Sequence, residues 1–483
     1  MGWGLVALSA VLRLRAYLVD RSLWRDEAAL TYNLLHRGAL GFNRPLDFQQ
    51  GTPPGFFVVE KAVIAVAGSS EEALRLVPLL AGIAAIAVAF VLARRHLEPI
   101  VGLVALALCA VSPALTYYSG EVKQYSTDVL LALLVMLAAS TAYRRDFTTR
   151  SCLVLAGTGV VAVVCSHAST FTLAGVGIVL AVPLLRRRRW PEVRRLVAVG
   201  ATWAAALVVV YALFDRGLDD NPFLRSFWSD AFLPLPPHDL EGVHRWGWAL
   251  STLFSMLTGN QVLVVLFAPL AVVGIVRFAR HDRGLLGVLL MPWAFVVVAS
   301  AVHLYPAADR LVLFLLPSVA VLVGGGVATV VDLLEPRLPA LAVPVAVIVC
   351  VLGASVAIHW FVSPSPVEEV RPLLERVRDA QRPGDALYAT EVAVPAVDYY
   401  APRLGLHLSP TVAGKAQLND PAALDAEIAP LLGHDRVWVV STQFDQPWIP
   451  GEVTREFARH GRLVQQWQSS GASVYLYDLS SSG

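Results

Sequence analysis

The sequence predicts an all-α polytopic membrane domain over residues 1–362, followed by a small α/β domain over residues 363–483. Of the 483 residues, 56% are apolar and 16% are charged, whereas soluble proteins devote about a quarter of their residues to charged side chains. The first segment carries 28 basic and 22 acidic side chains, and the second carries 10 and 15. The net charge of +1 argues against a nucleic-acid partner, because such domains are generally basic.

Apolar windows long enough to cross a bilayer as helices recur throughout the first 362 residues. Arg13 and Arg15 interrupt the first window, and no small-residue cleavage site follows it. We therefore expect this segment to remain attached rather than to act as a signal peptide. About eleven transmembrane helices are predicted, roughly at 3–19, 77–93, 100–117, 127–143, 152–168, 170–185, 196–213, 260–276, 285–302, 311–331 and 340–361.

Arginines cluster in every second loop, and basic residues in short loops remain in the cytoplasm. The alternate loops would then face outward, together with the domain after residue 362. An apolar stretch at 54–68 is interpreted as an interfacial or re-entrant helix, because counting it as a span would put the later arginine clusters outside. The predicted outer loops are 20–75, which would carry catalytic residues, and 118–126, 214–259 and 303–310.

The last segment has the pattern of an independent α/β domain. Strand-like runs occur at 386–390, 436–442 and 473–478, with helical stretches near 367–381, 421–432 and 452–460. Strands that alternate with helices favour a small mixed or parallel sheet. No phosphate-binding or nucleophile-elbow motif occurs there, so the pattern specifies no chemistry.

Two adjacent carboxylates, Asp26 and Glu27, follow the first predicted span. Such a pair can supply a general base for a hydroxyl acceptor, or a ligand for substrate or metal, if the two pKa values differ. Spacing alone is equally compatible with ordinary acidic loop residues.

A second polar group contains Glu121, Lys123 and Tyr125 at the outer end of the third span. Lysine is scarce in this chain, and this one could pair with the phosphate of a lipid-linked substrate. An interfacial aromatic belt accounts for the neighbouring tyrosines but not for the charged pair.

A third group contains His303, Tyr305 and Arg310, between the ninth and tenth spans. Arg310 could simply extend to the lipid head groups, or its guanidinium could bind a phosphate leaving group. His167, at the outer end of the fifth span, could serve as a base or a ligand, but a lone histidine is more often an interfacial residue with its polar atoms satisfied, and we interpret it so.

Five sequence motifs follow one another along the chain: SLWRDE at 22–27, TPPGFF at 52–57, ALRLVP at 73–78, YSGEVKQY at 118–125, and Tyr305 with RLVLF at 310–314. In this order they resemble bacterial GT-C glycosyltransferases, especially those related to protein O-mannosyltransferases and lipid A aminoarabinose transferases. The resemblance extends over roughly residues 1–330. Aminoarabinose transferases usually have a lysine where this chain has Thr52.

The resemblance implies an inverting transferase that uses a polyprenyl-phosphate sugar on the extracytoplasmic face of the cell membrane. It implies that Asp26, with Glu27 beside it, deprotonates or orients the acceptor hydroxyl. Lys123 and Arg310 would bind the donor phosphate. The predicted substrate-binding residues are Glu121, Tyr125, His303 and Tyr305.

The predicted partners are therefore a polyprenyl-phosphate sugar, an acceptor that is a glycan, lipid or protein, and membrane lipids. The sequence leaves open whether a divalent cation bridges Asp26 and the phosphate, because no ligand spacing specifies one. The alternative function is a transporter or flippase of lipid-linked sugars. Transporters usually show internal repeats and polar residues at the membrane midplane, whereas the polar groups here lie at one predicted face.

Overall fold

The computed structural model describes residues 2–38, 41, 44–216, 222–336, 338–362, 367–415, 421–442 and 449–480. The chain forms two compact units. The first unit comprises residues 1–19, 39–45 and 51–364, and the second comprises residues 20–38, 46–50 and 365–483. Part of the predicted first outer loop therefore folds with the C-terminal domain.

The first unit is helical throughout its described part. Because apolar side chains surround most of its helices, burial is set by helix packing rather than by one amphipathic face. Its helices are α1 (Gly2–Tyr17), α3 (Pro54–Ala67), α4 (Glu71–His96), α5 (Pro99–Val111), α6 (Pro113–Tyr117), α7 (Tyr125–Arg144), α8 (Thr149–Cys165), α9 (Ser169–Arg186), α10 (Trp190–Val210), α11 (Pro222–Phe227), α12 (Leu240–Thr258), α13 (Val264–His281), α14 (Arg283–Ala301), α15 (Leu316–Leu334) and α16 (Pro339–Val362).

Every predicted span coincides with a helix or a pair of helices. Within the described residues, eight helical segments are long and apolar enough to cross a membrane, or nine if α5 and the bent segment after it form one span. The structure therefore supports eight or nine of the roughly eleven predicted transmembrane helices. The other two predicted spans correspond to α1, with 16 residues, and α8, with 17. The predicted interfacial helix is α3, with 14 residues.

A break between α5 and α6 shapes the outer end of the third predicted span. The two parts are bent by 55°, and Pro113 begins the second part. Proline has no N–H, so the carbonyl of Cys109 loses its helical donor. The buried Arg13 of α1 donates to the carbonyl oxygens of Cys109 at 3.5 Å and Ala110 at 3.3 Å. Ser112 caps the following turn by accepting from the Leu115 N–H.

The second unit contains a five-stranded mixed sheet. The strand order is β2-β1-β3-β5-β4; β2, β1 and β3 are parallel, and β5 runs antiparallel to β3 and β4. Its strands are β1 (Ala386–Ala389), β2 (Thr411–Ala413), β3 (Val437–Thr442), β4 (Arg462–Ser469) and β5 (Ala472–Asp478), and its helices are α2 (Arg25–His36), α17 (Arg371–Ala380), α18 (Val394–Leu404), α19 (Pro421–Ile428) and α20 (Ile449–His460).

The three predicted strands correspond to β1, β3 and β5. All three are buried along most of their length, which explains why their apolar runs were recognisable. The prediction missed β2 and β4. The first has only three residues, and the second is a largely exposed edge strand with glutamines, so neither carries a clear apolar alternation.

Candidate active site

The segment that links α6 to α7 buries three of the predicted site residues. Tyr118–Gly120 forms a 3₁₀ turn, Glu121 is extended, and Tyr125 begins α7. Glu121 is fully buried, and Lys123 and Tyr125 are 4% and 5% exposed. Burying a carboxylate and an ammonium group is costly unless each has a partner. This degree of burial is unlike that of an ordinary surface loop.

A second segment contributes Arg310. Residues Asp309–Leu315 form a 3₁₀ helix before α15, and this turn packs against α7. The Arg310 guanidinium lies 5.9 Å from the Tyr125 ring centre and 5.5 Å from that of Trp228. It is also 3.9 Å from an Asp309 carboxylate oxygen. Two aromatic rings and a carboxylate thus restrict the orientation of Arg310.

Tyr118 connects these two segments electrostatically. The charges of Glu121, Asp309 and Arg310 all act on its hydroxyl, and its ring packs edge-on to Tyr125 at 5.2 Å. Glu121, Tyr125 and Arg310, predicted from separate sequence motifs, therefore belong to one polar group in the first unit. Trp228 is part of this group but was not predicted, because it comes from a loop with no distinguishing pattern.

Tyr305 is held close to the same turn. Its hydroxyl donates to the Leu311 carbonyl at 2.8 Å, and its ring packs edge-on to Phe171. Burial, followed by the negative charge of Asp128, holds the pKa of Tyr305 well above its usual value, so the phenol remains protonated. His303, unlike Tyr305, is exposed. Its ring centre lies 4.9 Å from that of Phe232.

An adjacent polar group surrounds His167, which lies between α8 and α9. Its Nε2 is 3.3 Å from an Asp215 carboxylate oxygen, and Asp128 interacts with both Ser166 and His167. Burial alone would lower the pKa of His167, but pairing with Asp215 and the charge of Asp128 outweigh it and raise the pKa. The interpretation of His167 as a satisfied residue is thus supported only in part: Asp215 is its ionic partner, but the buried Nε2 atom makes no hydrogen bond within the described residues.

We expect this pairing to make stability depend on pH. Because the folded pKa of His167 is raised, its contribution is complete below its unfolded pKa of about 6.5 and is lost as pH rises through the folded value. His167→Gln should lower the thermal unfolding midpoint by about 2 °C at pH ~6 and by less at pH ~8.5. Scanning calorimetry of the detergent-solubilised chain measures this difference.

The control for that experiment is His281→Gln. The His281 Nδ1–H donates to the Arg277 carbonyl oxygen within its own helical turn, and we expect no comparable pH-dependent difference. A His167→Gln effect that grows as pH rises would contradict the pairing with Asp215.

The carboxylates Asp26 and Glu27 lie in the second unit, in the first turn of α2. Asp26 is partly exposed, whereas Glu27 is completely buried. Both positions favour negative charge, because backbone N–H groups at a helix start carry partial positive charge. Of the two, Asp26 is the carboxylate that a second molecule can reach.

The C-terminal domain fixes the backbone just before this turn. The Leu23 N–H donates to the Tyr400 hydroxyl at 2.7 Å, and the Arg25 N–H donates to a Glu368 carboxylate oxygen at 2.6 Å. Ser22 donates to Glu369 through its N–H at 3.1 Å and its hydroxyl at 2.9 Å. The position of α2 therefore depends on residues that no local motif could have identified.

No set of three His, Cys, Asp or Glu residues within the described part of the chain is arranged to hold a metal ion.

Comparisons with known proteins find similarity in sequence and in fold. A family model described as dolichyl-phosphate-mannose-protein mannosyltransferase matches residues 51–214, whereas no curated protein matches. The fold resembles that of ArnT from Cupriavidus metallidurans bound to undecaprenyl phosphate, with a TM-score of 0.58, 15% identity and 98% coverage of both chains. It also resembles archaeal oligosaccharyltransferase AglB from Archaeoglobus fulgidus, in complex with an inhibitory peptide and a dolichol-phosphate, with a TM-score of 0.56, 12% identity, and coverage of 98% of this chain and 74% of the other. The predicted resemblance to GT-C glycosyltransferases is confirmed.

Proposed function

We propose that this multi-pass membrane protein with the GT-C glycosyltransferase fold transfers a sugar from a polyprenyl-phosphate donor to an acceptor hydroxyl. The observation that carries the proposal is the polar group formed in the first unit by the buried Glu121, Lys123 and Tyr125 and the partly buried Arg310. Charged side chains that are buried in the membrane domain of a protein usually serve a function. The solved structures with undecaprenyl phosphate and dolichol-phosphate support a lipid phosphate as the ligand.

Lys123 and Arg310 would hold the donor phosphate. As the bond between sugar and phosphate breaks, negative charge accumulates on the departing polyprenyl phosphate, and fixed cations stabilise that charge. Stacking beside Tyr125 and Trp228 would keep the Arg310 guanidinium oriented before the donor arrives. Tyr305, held as a neutral phenol whose hydroxyl donates to the Leu311 carbonyl, carries no charge that would repel the phosphate.

Asp26 would act as the general base. It would take the proton of the acceptor hydroxyl while the oxygen attacks the anomeric carbon. One displacement inverts that carbon and releases polyprenyl phosphate, so no covalent sugar–enzyme intermediate is required. Glu27, which is buried behind the accessible carboxylate, would support the negative environment of the turn rather than contact the acceptor.

We place the reaction and the C-terminal domain on the extracytoplasmic side. Arginine-rich loops alternate with long polar loops, and only the first kind remains in the cytoplasm. Nucleotide sugars are confined to the cytoplasm, so transfer outside requires a donor carried on lipid. The acceptor remains a glycan, lipid or protein; Thr52, in place of the usual lysine, favours an acceptor other than lipid A.

Cysteine labelling in intact cells checks the orientation. Asp230 and Arg188 are exposed and lie in predicted outer and inner loops. In a chain whose four cysteines are replaced by alanine, a membrane-impermeant maleimide should label Asp230→Cys and not Arg188→Cys. The reverse pattern would put Asp26 in the cytoplasm.

The function is tested with the whole chain in nanodiscs. Polyprenyl-phosphate [³H]mannose is supplied with envelope extract, followed by a panel of hexose and pentose donors, and the label is measured in released glycan, lipid and protein. Mannose comes first because the matching family is described as mannosyltransferases. Label that stays on the polyprenyl carrier for every donor would contradict the proposal. Movement of intact donor between liposome leaflets without transfer would instead support the flippase alternative.

A further inference from the structure

The sheet of the C-terminal domain contains a topological switch point. From β1 the chain passes through α18 to β2, which lies on one side of β1. It then passes through α19 to β3, which lies on the other side of β1. In open α/β sheets, connections that diverge in this way leave a crevice outside the carboxyl ends of the two central strands, and ligands bind there. In this domain the rule places the crevice outside the carboxyl ends of β1 and β3.

Buried hydroxyl groups lie at the carboxyl ends of these two strands. Thr390 and Ser441 follow the paired residues Ala389 and Val440, and their side-chain oxygens are 3.5 Å apart. The hydroxyl of Thr442 donates to the Val392 carbonyl at 3.1 Å. The ends of β1 and β3 are therefore joined, and the turn that follows β1 is held in place.

Glu391 lies on that turn, between β1 and α18. It is partly buried, and within the described part of the chain no hydrogen bond or ion pair holds its carboxylate. The positive charge of Arg25 and the negative charge of Glu427 both act on it. Burial raises the pKa of Glu391, which Arg25 partly offsets. A partly desolvated carboxylate without a fixed partner is poised to accept hydrogen bonds from a ligand.

The same turn adjoins the helix that carries the proposed base. α18 packs against α2, and His36 of α2 is 3.6 Å from an Asp398 carboxylate oxygen of α18. Arg25, whose charge acts on Glu391, directly precedes Asp26. A molecule bound beside Glu391 would therefore lie near the first turn of α2, within the same unit.

We propose that the crevice at the carboxyl ends of β1 and β3, with Glu391 and Arg25, binds a neutral carbohydrate that serves as the acceptor. This inference rests on the proposed function and specifies its acceptor. A carboxylate and a guanidinium can accept from and donate to neighbouring sugar hydroxyls. Phosphorylated acceptors fit less well, because Glu391 and Glu427 together exceed the charge of Arg25.

Binding is tested without any transfer reaction. The fluorescently labelled full chain in nanodiscs is applied to an array of neutral oligosaccharides, phosphorylated glycans and peptides. We expect binding to neutral oligosaccharides, weakened about tenfold or more by Glu391→Gln, since hydrogen bonds to a charged group are among the stronger ones. Asp435→Asn is the matched control, because Asp435 is exposed at the opposite, amino end of β3.

Several results would overturn the inference: no binding to neutral oligosaccharides, preference for peptides or phosphorylated glycans, or Glu391→Gln binding like the wild type. Because burial disfavours the Glu391 charge, glutamine should preserve the unfolding midpoint, and Glu391→Ala provides a second substitution. If either variant has a lower unfolding midpoint than the wild type, the inference is still tested with the wild-type protein. Its binding to the oligosaccharide array, and competition for that binding by soluble methyl α-mannoside, are then measured.

Kinetics distinguish this inference from the proposed function. With an acceptor identified on the array, Glu391→Gln should raise the acceptor KM about tenfold and leave the donor KM unchanged. Glycan binding without sugar transfer from any donor would refute the proposed function alone. Transfer with an unaltered acceptor KM in Glu391→Gln would refute the crevice alone.

Discussion

Asp26→Asn should lower the sugar-transfer rate by about 10²–10⁴-fold, the usual contribution of a general base. Asparagine retains the shape of the side chain but cannot take the acceptor proton. The fall should appear in kcat, with little change in the donor KM, because the donor phosphate is assigned to Lys123 and Arg310. Initial rates in nanodiscs, measured over a range of donor concentrations, separate these parameters.

Asp20→Asn is a suitable control for Asp26. The Asp20 side chain is 79% exposed and pairs with Arg371 at 2.6 Å, and such surface pairs contribute little to stability. It should transfer sugar at nearly the wild-type rate. Wild-type turnover by Asp26→Asn would show that another group takes the proton.

Arg310→Gln should lower kcat by about 10²–10³-fold, comparable to the loss of one fixed donor to developing negative charge. Arg310→Lys should recover only part of this loss. Lysine restores the charge, but it cannot stack as a plane on Tyr125 and Trp228 or donate two parallel hydrogen bonds. The rates of all three proteins with a saturating donor measure the effect.

Arg280→Gln serves as the matched control for arginine removal. Arg280 is exposed in the last turn of α13, in a predicted inner loop, and its replacement should leave turnover unchanged. Equal losses in both variants would indicate a general effect of charge on the membrane domain. Full recovery with Arg310→Lys would show that guanidinium geometry is unimportant.

Much of the polar group in the membrane domain was predictable from sequence. Charged side chains such as Glu121, Lys123 and Arg310 stand out against apolar helices, since each must have a compensating reason to be there. Trp228 could not be recognised, because a tryptophan in a polar loop is common near membranes. Its role depends on how that loop lies against the turn that begins at Asp309.

The surroundings of Asp26 were less predictable. The motif was visible, but the sequence pattern assigned residues 20–75 to the membrane domain and treated the C-terminal domain as independent. In the structure, Ser22, Leu23 and Arg25 are hydrogen-bonded to residues 347, 377 and 343 positions away. Pairing over such a distance depends on tertiary structure and leaves no local periodicity. The domain limits at 362 and 363 accordingly remain a prediction.

Arg13 has a consequence for biogenesis. An arginine within a helix in lipid costs about 3 kcal/mol on insertion, and α1 has only 16 residues with which to offset it. The carbonyls that accept from its guanidinium belong to α5, 96 and 97 residues farther along the chain. We therefore expect α1 to stay loosely inserted until α5 and the proline after it have entered the bilayer, so that this helix settles only after one that is made later.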